Sequence, residues 1–197
     1  MVTLGNHTYR RDGIGGYLAG SERVIRPANQ GALTQGRGLT GFEARNGVSV
    51  AVLNLLGSIG LDTAVSPWEM VDGLVEEARA LAPVVIVDFH AEATSEKIAL
   101  SRWLDGRVTA VIGTHTHVQT NDARIQPGGT AAVTDAGMTG PHDSVIGVKA
   151  ELAIRRMRTR LPVRFEPAEG GVRIEGVVID CTDDGGATGI DLLRVDV

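Results

Sequence analysis

Runs of apolar residues broken by helical periodicity organise the chain. Gly47 to Leu56 is mostly β-branched and apolar and follows a turn-type Asn46-Gly47, the mark of a buried strand, with Phe42 to Ala44 placed to pair with it as a hairpin. Ser66-Pro67-Trp68-Glu69 then supplies an N-cap serine, a proline at the first helical position and a glutamate three residues after the cap. This predicts a helix to about Leu81, with Trp68, Val71, Leu74, Val75 and Ala78 on one face. After Pro83, Val84 to His90 forms a second core strand, Ala91 to Leu104 a helix, and Val108 to Gly113 a third strand that runs into Thr114-His115-Thr116-His117.

Thr130 to Asp135 predicts a further strand and Lys149 to Arg160 a helix. Leu161 to Phe165, Gly171 to Asp180 and Ala187 to Val195 are expected to be antiparallel strands turning at Glu169-Gly170-Gly171 and Asp183 to Gly186. At the other end, residues 1–7 enter a strand near its finish, and 8–46 predict a short helix, loops and an extended Val24 to Pro27. Strands separated by helices imply a layered α/β fold with a second, mostly antiparallel sheet. Sites in such folds gather just beyond the strand ends.

Composition narrows the function. A length of 197 residues fits one domain, 1–197. The 26 glycines predict many tight loops. A net charge of −5 gives no broad basic footprint, so neither stable nucleic-acid binding nor an anionic membrane surface is expected. Cys181 is the only cysteine, which excludes an intrachain disulfide and a cysteine-based metal cluster. The N-terminus shows no signal-type apolar stretch and no run is long enough to span a membrane, so a cytoplasmic protein is expected.

Histidine placement carries the chemistry. Four of the five histidines, His7, His90, His115 and His117, stand at or just after predicted strand ends. Neutral imidazole is the commonest ligand of borderline divalent metals. In an extended segment, the spacing of two between His115 and His117 would turn both rings to one side. Any one of these taken alone is more often a hydrogen-bonded structural residue, and an HxH pair occurs in several kinds of metal hydrolase. Asn6-His7 sharpens the set, because asparagine offers a neutral carbonyl oxygen to a cation and Gly5 lets the turn approach closely. Asp88 and Glu92 flank His90 as candidates for orienting imidazoles, with solvated or capping roles equally open. His142 reads as a loop stabiliser, and Gly137 to Gly140 as backbone that could meet phosphate.

The ordered set GNH, strand-end histidine, GTHTH resembles the calcineurin-like metallophosphoesterases. Val87 to Lys97, Gly113 to Thr120 and Thr134 to Pro141, together with Arg26 to Asn29 and Leu161 to Phe165, are similar to the YmdB-type branch across essentially the whole chain. The resemblance implies a layered α/β/β/α sandwich with mixed sheets and a phosphodiesterase acting on 2',3'-cyclic nucleotides by a dinuclear-metal hydroxide mechanism. It implies two divalent ions, iron or manganese: Asn6, His90 and His115 on one, His117 on the other, and His7 as proton donor. The expected partner is a small phosphodiester; a homo-oligomer is left open.

The resembled pattern also has a strand ending in Gly-Asp and another ending in an Asn-x-Glu-Asn-like motif ahead of GNH. Neither is present, an absence of roughly 60 residues at about 30 per βαβ unit. The expectation is therefore an N-terminally incomplete domain, lacking the first strand-helix units, with open strand edges, weak metal binding and low turnover. The alternative is a catalytically silent relative serving in binding or assembly.

Overall fold

Val50 to Leu56 and Val84 to His90 pair in parallel along their whole length, with Val50 opposite Val84 and Leu56 opposite His90. Buried on both faces, these strands read as continuous apolar runs. The computed structural model describes residues 1–197. Its elements are β1 (Val2–Thr3), α1 (Ile14–Gly20), β2 (Val24–Ile25), β3 (Leu39–Glu43), β4 (Ser49–Leu56), α2 (Pro67–Leu81), β5 (Val84–His90), α3 (Thr94–Trp103), β6 (Ala110–Thr114), β7 (Arg124–Ile125), β8 (Ala131–Val133), β9 (Gly140–Pro141), α4 (Ala150–Thr159), β10 (Val172–Cys181) and β11 (Ala187–Asp196).

A six-stranded sheet in the order β3-β4-β5-β6-β8-β7 is parallel through β4, β5, β6 and β8 and antiparallel at both edges. β11-β10-β9 forms an antiparallel sheet whose β11 lies against β7 and β8, and β1 pairs with β2 in parallel. The architecture is therefore mixed α/β, with a helix-covered sheet meeting a second, antiparallel one. The main core joins Val71, Val75 and Ala78 of α2 and Leu100 of α3 to Leu53, Leu55, Val85, Val87 and Phe89 of the central strands. No helix is long and apolar enough to cross a membrane.

The start of α2 forms as its sequence dictates, with the Ser66 hydroxyl accepting from the Trp68 amide and Pro67 in the first turn. Trp68 itself departs from the expected buried face and stays exposed at the helix end. α3 begins at Thr94 rather than Ala91, because the His90 carbonyl is taken by Gly57 and the Ala91 amide by Thr114, which prolongs the sheet pairing past the strand. Leu161 to Phe165 is not a strand. Arg160 closes α4 in a left-handed conformation, and Pro162 has no amide to donate. β7 and β9, two residues each, have no counterpart among the elements expected from sequence.

Phe89 is fully buried at the centre of this core. Phe89→Ala is expected to cost about 3–5 kcal/mol of unfolding free energy in urea denaturation; a loss under ~1 kcal/mol would contradict its place there.

Candidate active site

β5 and β6 run side by side with His90 opposite Thr114, so His90, the last residue of one strand, and His115, the first after the other, emerge at the same edge of the sheet. The Thr114 hydroxyl donates to Asp88 Oδ1 at 2.8 Å and lies 3.0 Å from His90 Nδ1. A hydroxyl has one proton to give, so with that proton on Asp88 it accepts from His90 Nδ1, and the Nε2 lone pair of His90 faces outward. Burial pushes the Asp88 carboxyl up, against the hydrogen bonds from Thr3 and Thr114. On His115, Nε2 lies 2.8 Å from Glu92 Oε2, which leaves Nδ1 as the outward lone pair.

These outward atoms converge. His90 Nε2 stands 3.2 Å from Asn6 Oδ1 and 3.1 Å from His115 Nδ1. With the other ring nitrogens protonated toward Thr114 and Glu92, all three are acceptors, an arrangement that repels itself until a cation lies between them. Bonds of roughly 2.1 Å to a common ion would set such donors ~3.0 Å apart in octahedral and ~3.4 Å apart in tetrahedral geometry; the observed separations fall inside that range. The residues therefore fit a divalent metal. No three His, Cys, Asp or Glu side chains are placed to hold an ion by themselves, so the amide oxygen of Asn6 is what completes the set.

The loop carrying Asn6 reaches this point because Gly5 has no side chain: a Cβ there would lie 2.3 Å from His90 Nε2. Asn54 Nδ2 holds the loop from below, donating to the Leu4 carbonyl at 2.6 Å. His7, next along, is exposed on the wall of the same cavity. His117 joins from the far side, its Nδ1 donating to the Ile146 carbonyl at 3.2 Å so that Nε2 keeps its lone pair. The cavity, about 560 Å³, is lined by Gly5, Asn6, His7, His90, Glu92, His115, Thr116, His117 and Ile146. All five residues singled out from sequence meet there.

The route by which His115 and His117 arrive differs from expectation. The segment is not extended: both residues have positive φ, 107° and 65°. Thr116 between them is gripped by Asp135, whose Oδ2 accepts from its amide at 3.0 Å and its hydroxyl at 2.7 Å. The same oxygen takes Lys97 Nζ at 2.9 Å, in an ion pair 3% and 1% exposed. Sequence reasoning passed over Thr114, Thr116, Lys97 and Asp135. The available signal was a lysine on the inward face of α3, beside Glu96, whose carboxylate accepts from the Ser58 amide and hydroxyl.

Two weaker expectations resolve in opposite ways. His142 Nε2 lies 3.2 Å from the Met138 carbonyl and steadies that loop. Gly137 to Gly140 does not line the cavity; the Gly137 and Met138 amides go to Asp135 and Glu175.

Burial lowers the His90 pKa from 6.5 to about 4, with the neighbouring His115 and Lys97 charges adding to it. Since the unfolded chain binds the extra proton first, stability from this residue is present above pH 6.5 and lost as pH falls toward 4. The metal-free protein is expected to lose as much as roughly 3 kcal/mol over that window, a loss absent from His90→Gln in paired denaturation series. Lys97→Met, which strands the Asp135 charge, is expected to cost about 3–5 kcal/mol by the same measurement.

The family model described as "YmdB-like protein" matches residues 1–193. A 2',3'-cyclic-nucleotide 2'-phosphodiesterase of Bacillus subtilis is 48% identical over 182 residues, covering 92% of this chain and 69% of that protein. A crystal structure of a Thermus thermophilus protein superposes with a TM-score of 0.92 at 38% identity, over 100% of this chain and 76% of its own. A crystal structure of a Mycoplasma pneumoniae phosphatase gives 0.87 at 32%, over 98% and 71%. The fold and these similarities agree, and the chain belongs to the YmdB-like protein family.

Proposed function

We propose that the chain is a metal-dependent phosphodiesterase that opens 2',3'-cyclic nucleotides at the 2' ester and leaves a 3'-nucleotide. The observation that carries this reading is the approach of Asn6 Oδ1 and His115 Nδ1 to His90 Nε2, at 3.2 and 3.1 Å, beside His7 and His117 in one cavity. The substrate class follows the Bacillus subtilis relative, whose name specifies that reaction. Imidazole and amide oxygen together suit iron or manganese. Asn6, His90 and His115 would hold one ion, and His117 would give Nε2 to a second.

Divalent ions, if held at these donors, would supply positive charge for the phosphate oxygens and lower the pKa of water to make a nucleophile available at neutral pH. The chain's own groups do the rest. His7, adjacent to Asn6 and exposed to the cavity, gives a proton to the departing 2' oxygen. Glu92 fixes the tautomer of His115, and Asp88 fixes that of His90 through Thr114. We read residues 1–197 as belonging to a single domain. The converging donors are neutral and Glu92 is the only carboxylate on the wall, so cation affinity is modest and turnover by this chain is expected to be low.

The test is hydrolysis of 2',3'-cyclic AMP against 3',5'-cyclic AMP with Mn²⁺ or Fe²⁺ present, with product analysis. The 2',3' isomer should give 3'-AMP at least tenfold faster. His7→Ala should lower that rate by about 10²–10⁴-fold with metal content unchanged. Equal rates on both isomers, release of 2'-AMP, or metal binding without any hydrolysis would overturn the reading, the last leaving a binding protein.

A further inference from the structure

Ile146 is the single hydrophobic side chain on a cavity wall otherwise made of histidine, glycine and polar groups, and it is 54% exposed. Its backbone is unusual. Val145 and Val148 exchange both amide bonds, at 2.9 and 3.0 Å, closing a two-residue turn over Ile146 and Gly147. Both central residues have positive φ, 45° and 95°, as a type I′ turn requires. Asn, Asp or Gly is favoured at the first of these positions, and a β-branched residue there is a genuine outlier.

Turn chemistry thus argues against isoleucine at position 146. The Ser144 hydroxyl accepting from the Gly147 amide at 2.8 Å holds the turn closed despite it. What the residue provides is an apolar side chain at the cavity mouth, tied to the site by its own carbonyl, which accepts from His117 Nδ1. Backbone strain of this kind collects at ligand-binding positions.

We propose that Ile146 is the surface on which the nucleobase of the substrate rests. The proposal rests on the phosphodiesterase reading above. A nucleotide whose phosphate sits among the histidines projects its base away from them, and the flat apolar face of a base finds no other hydrophobic side chain on the wall. Contact of this type recognises area rather than hydrogen-bonding pattern, so it supports binding of any base and discriminates weakly between them.

The test measures binding of 3'-AMP and of inorganic phosphate to the Mn²⁺-loaded chain by calorimetry, for wild type, Ile146→Asn and Ile146→Leu. Asparagine suits the turn and keeps the carbonyl that holds His117, so the variant should fold with an unchanged or higher Tm. The expected result is a roughly fivefold weaker affinity for 3'-AMP in Ile146→Asn, with phosphate affinity unchanged and Ile146→Leu close to wild type. Unchanged 3'-AMP binding would overturn the inference. So would equal weakening of both ligands, which would assign the residue to holding His117. Failure of the wild type to bind either ligand would instead sink the phosphodiesterase reading, and this inference with it.

Discussion

The buried ion pair between Lys97 and Asp135 is the constraint on which the site depends. Two charges withdrawn from water are tolerated only when their remaining hydrogen-bonding capacity is met. Asp135 meets it by accepting from Thr116 through both amide and hydroxyl and from the Gly137 amide. Those partners are the middle of the HxH segment and the loop beyond β8. The electrostatic demand of one carboxylate thereby becomes a fixed backbone path, and the path turns His115 and His117 into the same cavity through conformations that histidine seldom adopts unaided.

A second constraint acts on protons. Glu92 and the Asp88-Thr114 relay each engage one nitrogen of a ring, so the facing nitrogens of His115 and His90 are left as lone pairs. Burial keeps His90 neutral through the physiological range. The outward ring nitrogens are thus both set as acceptors. The nearby Lys97 charge is spent on Asp135 and remains outside the donor set, so it disfavours protonation of His90 without occupying the cavity.

Much of this was legible in the sequence because its signals are local. The continuous apolar runs of β4 and β5 identify themselves, and so does α2 through its serine cap and proline. The approach of His90 and His115 was legible because strand ends in a parallel sheet share an edge, whereas Asn6 and His7 arrive from β1 in a separate two-stranded sheet. The sequence did not disclose the positive φ at His115 and His117, which flank the residue held by distant Asp135, nor that at Ile146, where local bonds close a turn that isoleucine disfavours. Leu161 to Phe165 misled for the opposite reason: its alternation is strand-like, but it follows the left-handed Arg160 and Pro162 has no amide to give a ladder. β7 and β9, at two residues each, are too short to carry a period.

Gln119, two residues past His117, lies with its side-chain nitrogen 3.0 Å from the carbonyls of Gly176 and Leu193 and 3.3 Å from that of Ala136. Gly176 and Leu193 face one another across β10 and β11. One amide group therefore rivets the histidine loop to both strands of the opposing sheet. Sliding of one layer over the other would have to break these hydrogen bonds or carry the histidine loop along with it.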